Sequence, residues 1–353
     1  MALNKNKSLY KSCLIRKERE LKPLLKNKGL NYIDAFSYQL KELFFIEKNQ
    51  FIGQKKDFVY KTKEFKEYIK DRKDNFVHIY FPWNNTLVKT VPGDAYIELK
   101  TNRNRDLITK EEQAILLKTK VGVFGMSVGS NIAFVLTQAG ISNEITIADF
   151  DLLDTTNLNR ILAGIHQVGL PKVVVASRRI YEDNPFAKVT LMPKGVSEKN
   201  LEDLLKKGKL DLIIEEIDEM KMKIRTRILA MKYKIPVVMI TDNGDGVVLH
   251  IERYDLGYKK IFNKEVFYWD ELFKKEITKE IAGKMIMEDI VGGVDKVDPK
   301  MLKSVKRVLA KELVSWSQLG SAAILGGVVA TVAIKKIILK EDLRPYVVEH
   351  IFV

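Results

Sequence analysis

From Val121 to Thr241 the sequence alternates short apolar runs with amphipathic ones, without interruption. The strand-like segments read VGVFG, EITIADFD, KVTLMP, LDLIIEEID and IPVVMIT. Between them lie the helix-like segments NIAFVLTQAG, PKVVVASRRIYED, EKNLEDLLKKG and MKIRTRILAMKYK. Apolar strands need cover on both faces, and a helix after each strand lets the next one run in the same direction. The expected fold class is therefore α/β: a Rossmann-like, mostly parallel sheet with helices on both faces. After Asp242 the segment GVVLHIERYD predicts a hairpin, followed by a less regular helical stretch from Glu271 to Leu313.

Ahead of this region, residues 1–100 predict a small α+β unit. YIDAFSYQLKELFF (Tyr32 to Phe45) has apolar residues at helical spacing, with Asp34 near its start as a cap. FVHIYFPWNNTLVKTVP (Phe76 to Pro92) predicts two strands joined at Pro82-Trp83-Asn84-Asn85. Residues 1 to about 30 are Lys-rich and read as solvated charge around a loosely held helix. Residues 101–353 form the second expected domain. It opens on ITKEEQAILLKTK, where Thr109 and Glu112 have the spacing of a capping box.

The net charge of +14 favours acidic partners, yet charge bears on association more than on fold, and nucleic acid is not the expected partner. Cys13, the only cysteine, excludes an intramolecular disulfide, a four-cysteine zinc site and a CxxC pair, which suits a reducing cytoplasm. The basic N-terminus lacks the apolar core of a signal peptide. The apolar run Leu319 to Ile334 is about 16 residues, short of the roughly 20 that span a bilayer, and predicts a buried helix, with no membrane partner.

The stretch VGVFGMSVGSNIAF admits two chemistries. Gly125-Met126-Ser127-Val128-Gly129 is G-x-S-x-G, the elbow that presents a nucleophilic serine. That reading needs a histidine and an acid after later strands and several strands before the elbow. His166, His250 and His350 have no telling context, and the alternation begins at the loop itself, which counts against Ser127 as a nucleophile. The other reading is a glycine-rich phosphate loop, which needs an acid about 20 residues on to hold ribose hydroxyls. Asp149, closing ITIAD, stands there. Gly125 allows the turn, Gly129 brings the helix close to the sheet, and the Ser130/Asn131 region supplies N–H groups.

DFDLLDTTNLNR (Asp149 to Arg160) followed by GLPKVVVA (Gly169 to Ala176) resembles the ThiF/MoeB superfamily, the ubiquitin-activating type of adenylyltransferase, with its acidic strand end, N-L-x-R run and G-x-x-K. LDLIIEEIDEMKMK resembles the strand that ends in the family's magnesium-holding aspartate, and LVSWSQLGSAAILGGVVATVAIKKIIL its apolar, glycine-rich helix. TNRNRDLITKEEQ looks like the segment whose arginine crosses a dimer interface. The resemblance covers about residues 100 to 340.

It implies ATP-dependent adenylation of a carboxylate, the C-terminus of a peptide, small protein or ubiquitin-like sulfur carrier, with release of pyrophosphate. It also implies a homodimer. Arg160, Lys172 and Arg105 (or Arg103) would offset phosphate charge, and Asn157 would hydrogen-bond phosphate oxygens. Asp218 would hold Mg²⁺, and Asp149 the ribose, with Asp151 beside it; Gly125, Ser127 and Gly129 would form the phosphate loop. The chain departs from the family in a loop one residue shorter, in Ile217-Asp218-Glu219 where T-D-N is usual, and in having neither the catalytic cysteine nor the zinc-binding CxxC pairs. No zinc is expected, and the acyl-adenylate would pass to an external nucleophile. Residues 1–100 would bind the peptide or partner, by analogy with a peptide-adenylating member of the superfamily. The alternative is a non-catalytic nucleotide-binding or scaffold member of the same fold.

Overall fold

The computed structural model describes residues 10–352 apart from residue 275, so residues 1–9 of the basic N-terminal segment lie outside it. The chain divides into two compact units, with the break after Lys110.

In the first unit β1 (Cys13–Ile15), β2 (Asn31–Asp34), β3 (Val77–Phe81) and β4 (Thr86–Thr90) form a sheet in the order β1-β3-β4-β2. β3 and β4 are the antiparallel pair expected around the Pro82–Asn85 turn, with Phe81 opposite Thr86. One expectation needs correction: Asn31–Asp34 is a strand parallel to β4, and the helix begins only at Phe36 and runs to Glu47. Asp34 still serves its start, because the carboxylate accepts from the Ser37 N–H (3.1 Å) and hydroxyl (2.9 Å). The helix buries Phe36, Leu40, Leu43 and Phe44, one face at helical spacing. The Phe44 ring meets Phe65 and Tyr68 of the helix Lys63–Arg72 edge-on, at centroid distances of 5.1 and 5.2 Å.

The second unit holds β5 (Lys120–Phe124), β6 (Glu144–Ala148), β7 (Lys188–Met192), β8 (Leu212–Glu215), β9 (Val237–Asn243), β10 (Gly246–Glu252) and β11 (Tyr346–Ile351). Their order is β11-β10-β9-β8-β5-β6-β7. β5 to β9 are parallel, β10 folds back on β9 as the expected hairpin, and β11 is antiparallel to β10. Alternate strand residues sort the two faces. Val123 lies against Gly129 of the helix Val128–Gln138, and Ile240 against Gly326 of the helix Gly320–Ile338. Phe124, Ile213 and Val237 pack instead with Leu201, Leu205 and Ala230, from the helices Glu198–Lys206 and Met220–Tyr233. The sheet is thus mostly parallel and covered on both faces. β5 has β6 on one side and β8 on the other, so strand order reverses there and a crevice opens at the C-terminal strand ends.

The apolar run near the C-terminus forms a helix of 19 residues, reaching Ile338 through Lys335 and Lys336. By length and composition it could cross a bilayer, but half of its apolar window is buried in the fold. Its small residues permit close approach: a Cβ on Gly327 would lie 3.2 Å from the Asn131 carbonyl oxygen, and one on Gly326 would lie 2.7 Å from Ile240 Cγ2.

A buried ion network joins the parallel strand β8 to the antiparallel strand β10. Glu215 ends β8, Glu252 ends β10, and both are 0% exposed, as is Arg227; Lys223, one turn before it, is 7% exposed. Arg227 bonds Glu215 and, at 2.5 Å, Glu252, while Lys223 Nζ lies 3.0 Å from both Glu215 oxygens. The Phe262 ring lies 4.0 Å from the guanidinium. Two positive and two negative charges compensate one another away from water. Glu215 also accepts from the Ile217 N–H (2.7 Å), and Glu252 from the Phe262 N–H (2.9 Å). Arg227→Met leaves an uncompensated buried negative charge and is expected to lower stability by about 3–5 kcal/mol in urea unfolding. A loss below about 1 kcal/mol would show that the charges are not coupled.

Candidate functional site

The chain leaves β5 at Gly125, whose φ of +94° is left-handed. A Cβ there would lie 2.2 Å from the Glu216 carbonyl oxygen, so the turn and the end of β8 meet backbone to backbone. The Gly125 N–H donates to Ala148 O (2.8 Å) and the Glu216 N–H to Phe124 O (2.7 Å), which ties three strand ends together. The helix Val128–Gln138 starts here, close against β5 at Gly129. Its first-turn N–H groups have no intrahelical acceptors and carry the positive end of the helix dipole, which suits an anion.

Asp149, directly after β6, accepts from the Met126 N–H (2.6 Å) of this loop and from the Asp151 N–H (2.7 Å). Burial pushes its carboxyl above the ordinary range, against the pull of these two N–H groups and of Lys172. Each oxygen has one such donor and keeps a lone pair for a ribose hydroxyl. Asp151 accepts from Lys172 Nζ at 2.7 Å, and the Lys172 side chain is only 10% exposed. Loop, Asp149, Asp151 and Lys172 therefore form one linked set.

Arg160 joins it from the other side. Its Nε donates to Ser127 Oγ (3.1 Å) and its Nη1 to Thr156 O (3.1 Å) and Asn159 Oδ1 (3.0 Å). Ser127, near the middle glycine of the family loop, thus holds the arginine. Burial pulls the guanidinium below its ordinary pKa, while Asp242 and Asp218 act to raise it. Asn157 is buried, and its Oδ1 accepts the Asp154 N–H (3.0 Å), so it orders the turn that leads to Arg160 and has only its Nδ2 left for a phosphate. Asp218 lies in the turn after β8. The next residue, Glu219, caps the helix Met220–Tyr233 through the Lys221 (2.9 Å) and Met222 (2.7 Å) N–H groups. Loss of solvent around Asp218 pushes its carboxyl up; Lys223 and Lys172 pull it down, and Glu215 and Asp149 push it further up. Arg105 belongs to the first unit, where it pairs with Glu98 at 3.2 Å with 42% of its side chain exposed.

Sequence reasoning missed two acids. The pairing of β8 with β9 stops at Ile214 and Val238, and Glu216 Oε1 then accepts the Ile240 N–H (2.8 Å) in place of a ladder bond. Burial pushes the Glu216 carboxyl well above the ordinary range, against Lys223. Asp242, near the end of β9, is 6% exposed, and Gln318 Nε2 reaches its Oδ2 at 3.5 Å. Burial raises this carboxyl to about 6, against the opposing pull of Arg160. The signal was available: an acid closing an apolar parallel strand stands at the crevice, and Thr241-Asp242-Asn243 is the T-D-N string sought one strand earlier.

Reversed strand order at a glycine loop, an acid ending the next strand, and a lysine and an arginine linked to that loop define a doubly wound α/β sheet of the nucleotide-binding type. The chain belongs to the ThiF family, whose model matches residues 100–350. It is 37% identical over 177 residues to an uncharacterised protein of Mycobacterium tuberculosis (strain CDC 1551 / Oshkosh), MT1398, over 50% of this chain and 24% of that protein. It is 32% identical over 140 residues to the tRNA threonylcarbamoyladenosine dehydratase of Haemophilus influenzae, over 39% of this chain and 53% of the relative. It therefore spans about a quarter of the length of the first relative and about half of the second. The crystal structure of the E. coli tRNA N6-threonylcarbamoyladenosine dehydratase in complex with AMP matches with a TM-score of 0.50 at 20% identity, over 70% of this chain and 97% of that one, a likeness of fold.

Ser127→Ala removes the acceptor that holds Arg160 Nε. It is expected to weaken ATP binding about tenfold, the worth of one hydrogen bond to a charged group, measured by isothermal titration. Unchanged affinity would show that the hydroxyl does not hold the arginine for phosphate.

Proposed function

We propose that the chain is an ATP-dependent adenylyltransferase that activates a carboxylate on a peptide or small protein. The observation that carries this reading is Arg160, held by Ser127 at the start of the loop helix, with Lys172 linked through Asp151 and Asp149 to the same loop. Membership of the ThiF family supports it. In the proposed step a carboxylate oxygen attacks the α-phosphorus of ATP, an acyl-adenylate bond forms, and the bond to pyrophosphate breaks. Arg160 and Lys172 offset the charge that builds on the phosphates and do not themselves react. The loop N–H groups hold the phosphates, and Asp149 orients the ribose.

Among the described residues no group of three or more His, Cys, Asp or Glu could hold a metal ion by itself. Asp218 would therefore share Mg²⁺ with phosphate oxygens and water, which is how this ion is commonly held, and the ion would offset phosphate charge. Cys13, the only cysteine, lies on β1 of the first unit, which supports transfer of the acyl group to an external nucleophile. We further propose a homodimer in which Arg105 serves the neighbouring site, and a first unit that binds the peptide.

A second reading places the carboxylate on tRNA; the name of the Haemophilus influenzae relative and the net charge of +14 favour it. The test is ATP–pyrophosphate exchange with candidate peptides in one arm and bulk tRNA in the other. Carboxylate-dependent exchange is expected with peptide, reduced by at least about 100-fold in Arg160→Ala and Asp218→Ala. Exchange with tRNA alone would select the second reading. ATP binding without exchange in either arm would leave a non-catalytic member of the fold.

A further inference from the structure

We propose that the outer edge of β2 takes an extended, acidic segment of the substrate peptide as an added strand. This rests on the reading that the first unit binds the peptide, and it names the place and the charge. The net charge is unevenly spread. Residues 1–110 carry 24 Lys and Arg against 13 Asp and Glu, so +11 of the chain's +14 lies on the smaller unit and +3 on the larger. A surplus of that size favours a partner of opposite sign.

β2 shows where such a partner can be held. It stands at one end of the order β1-β3-β4-β2 and pairs with β4 alone. In a parallel pair, alternate residues bond to the neighbouring strand. The Asn31 N–H donates to Asn85 O and the Ala35 N–H to Lys89 O, both at 3.0 Å, so the backbone groups of Tyr32 and Asp34 turn outward. Among the described residues no strand lies on that side. Proteins commonly blunt such an edge with proline or lysine; Asn31–Asp34 has neither and leaves Tyr32 46% and Ile33 43% exposed. β1, at the other end of the sheet, is three residues long and half-buried.

The open edge is held ready for a partner. Asn85 Nδ2 donates to Gly29 O (2.7 Å) and Asn27 Nδ2 to Asn85 Oδ1 (3.3 Å), which fixes the entry to β2, while Asp34 and Ser37 fix its exit. Lys26 and Lys28 are exposed in the entry turn, and Lys89 stands opposite Asp34 on β4. Asp34, the acid on this edge, already accepts from the Ser37 N–H and hydroxyl. A peptide strand matches the N–H and C=O groups offered here, whereas a phosphate backbone accepts but does not donate. The helix Lys63–Arg72 also interleaves Lys63, Lys66 and Lys70 with Glu64, Glu67 and Asp71, so a phosphate chain along it would meet carboxylates.

Proline is tolerated in an edge strand where the N–H points outward, so Tyr32→Pro removes a donor and blocks the edge while leaving the bonds to β4 in place. Fluorescence anisotropy of the full chain uses a labelled peptide of about ten residues alternating Thr and Glu, the same peptide with Lys for Glu, and bulk tRNA. The acidic peptide is expected to bind, and the lysine peptide at least about tenfold more weakly. Tyr32→Pro should weaken the acidic peptide about tenfold, the worth of one or two hydrogen bonds. Lys26→Glu combined with Lys28→Glu should weaken it and flatten its dependence on salt. Amide hydrogen exchange at Tyr32 and Asp34 should slow when the acidic peptide is added to wild type.

An unchanged urea midpoint reports that Tyr32→Pro is folded; if it is not, the lysine variant and the amide exchange decide. Acidic peptide bound equally by wild type and variants, bound without slower exchange at Tyr32 and Asp34, or bound no better than the lysine peptide overturns the inference and leaves peptide binding by the first unit standing. Failure of both peptides to bind removes that reading as well, and tRNA bound in their place assigns the basic unit to nucleic acid.

Discussion

A fully buried arginine between two fully buried glutamates determines where the rest of the larger unit can stand. Arg227 joins the end of β8 to the end of β10, and Lys223 completes the neutralisation. Charges taken out of water tolerate little displacement, because every lost contact leaves an uncompensated charge in a medium that solvates it poorly. The parallel strands and the antiparallel pair β10-β11 are therefore held as one sheet. The turn Glu216–Glu219 leaves β8 in a set direction, since Glu215 also accepts the Ile217 N–H. Asp218 is presented at the crevice by this fixture, with Glu219 capping the following helix.

Around the crevice acids outnumber bases, which is unusual for a site proposed to take a polyanion. Asp149, Asp151, Glu216, Asp218 and Asp242 face Arg160 and Lys172. Most of these carboxylates have an assigned donor: Met126 and Asp151 N–H for Asp149, Lys172 for Asp151, Ile240 N–H for Glu216. The two bases are likewise held, Lys172 by Asp151 and Arg160 by Ser127. Phosphate bound at these residues, as proposed, would exchange partners, and its free energy would be a difference between two sets of charged hydrogen bonds.

Much of the larger unit could be read directly. The β5–β9 strands and their helices declare themselves because apolar runs that alternate with amphipathic ones leave few other architectures. Gly125, Gly129 and Asp149 could be picked out for a similar reason, since each sits at a spacing that backbone geometry imposes, whereas Lys172 was picked out only by the resemblance of GLPK to the family's G-x-x-K. β1, β2 and β11 were not: three to six residues with partners far away in the chain carry no period of their own. The segment at Tyr32 shows the cost, because a strand running directly into a helix looks like a longer helix. Glu216 and Asp242 escaped because their importance comes from the splaying of β8 from β9, which is set by packing and not by any local pattern. Ser127 was noticed for the glycine it is not, whereas its use lies in a side-chain bond to a residue 33 positions away.

The bond from Asn159 to Gln318 spans 159 residues. During synthesis the loop, Asp149 and Arg160 leave the ribosome well before the helix Gly320–Ile338 that presses on Asn131 and Asn159. Such distant closures form late, because chain entropy opposes them until the intervening segments are ordered. The nascent chain can pair its parallel strands while the arginine's support is still missing, so the scaffold can assemble before the candidate site is complete, and the site is finished only once the helix Gly320–Ile338 has emerged and docked.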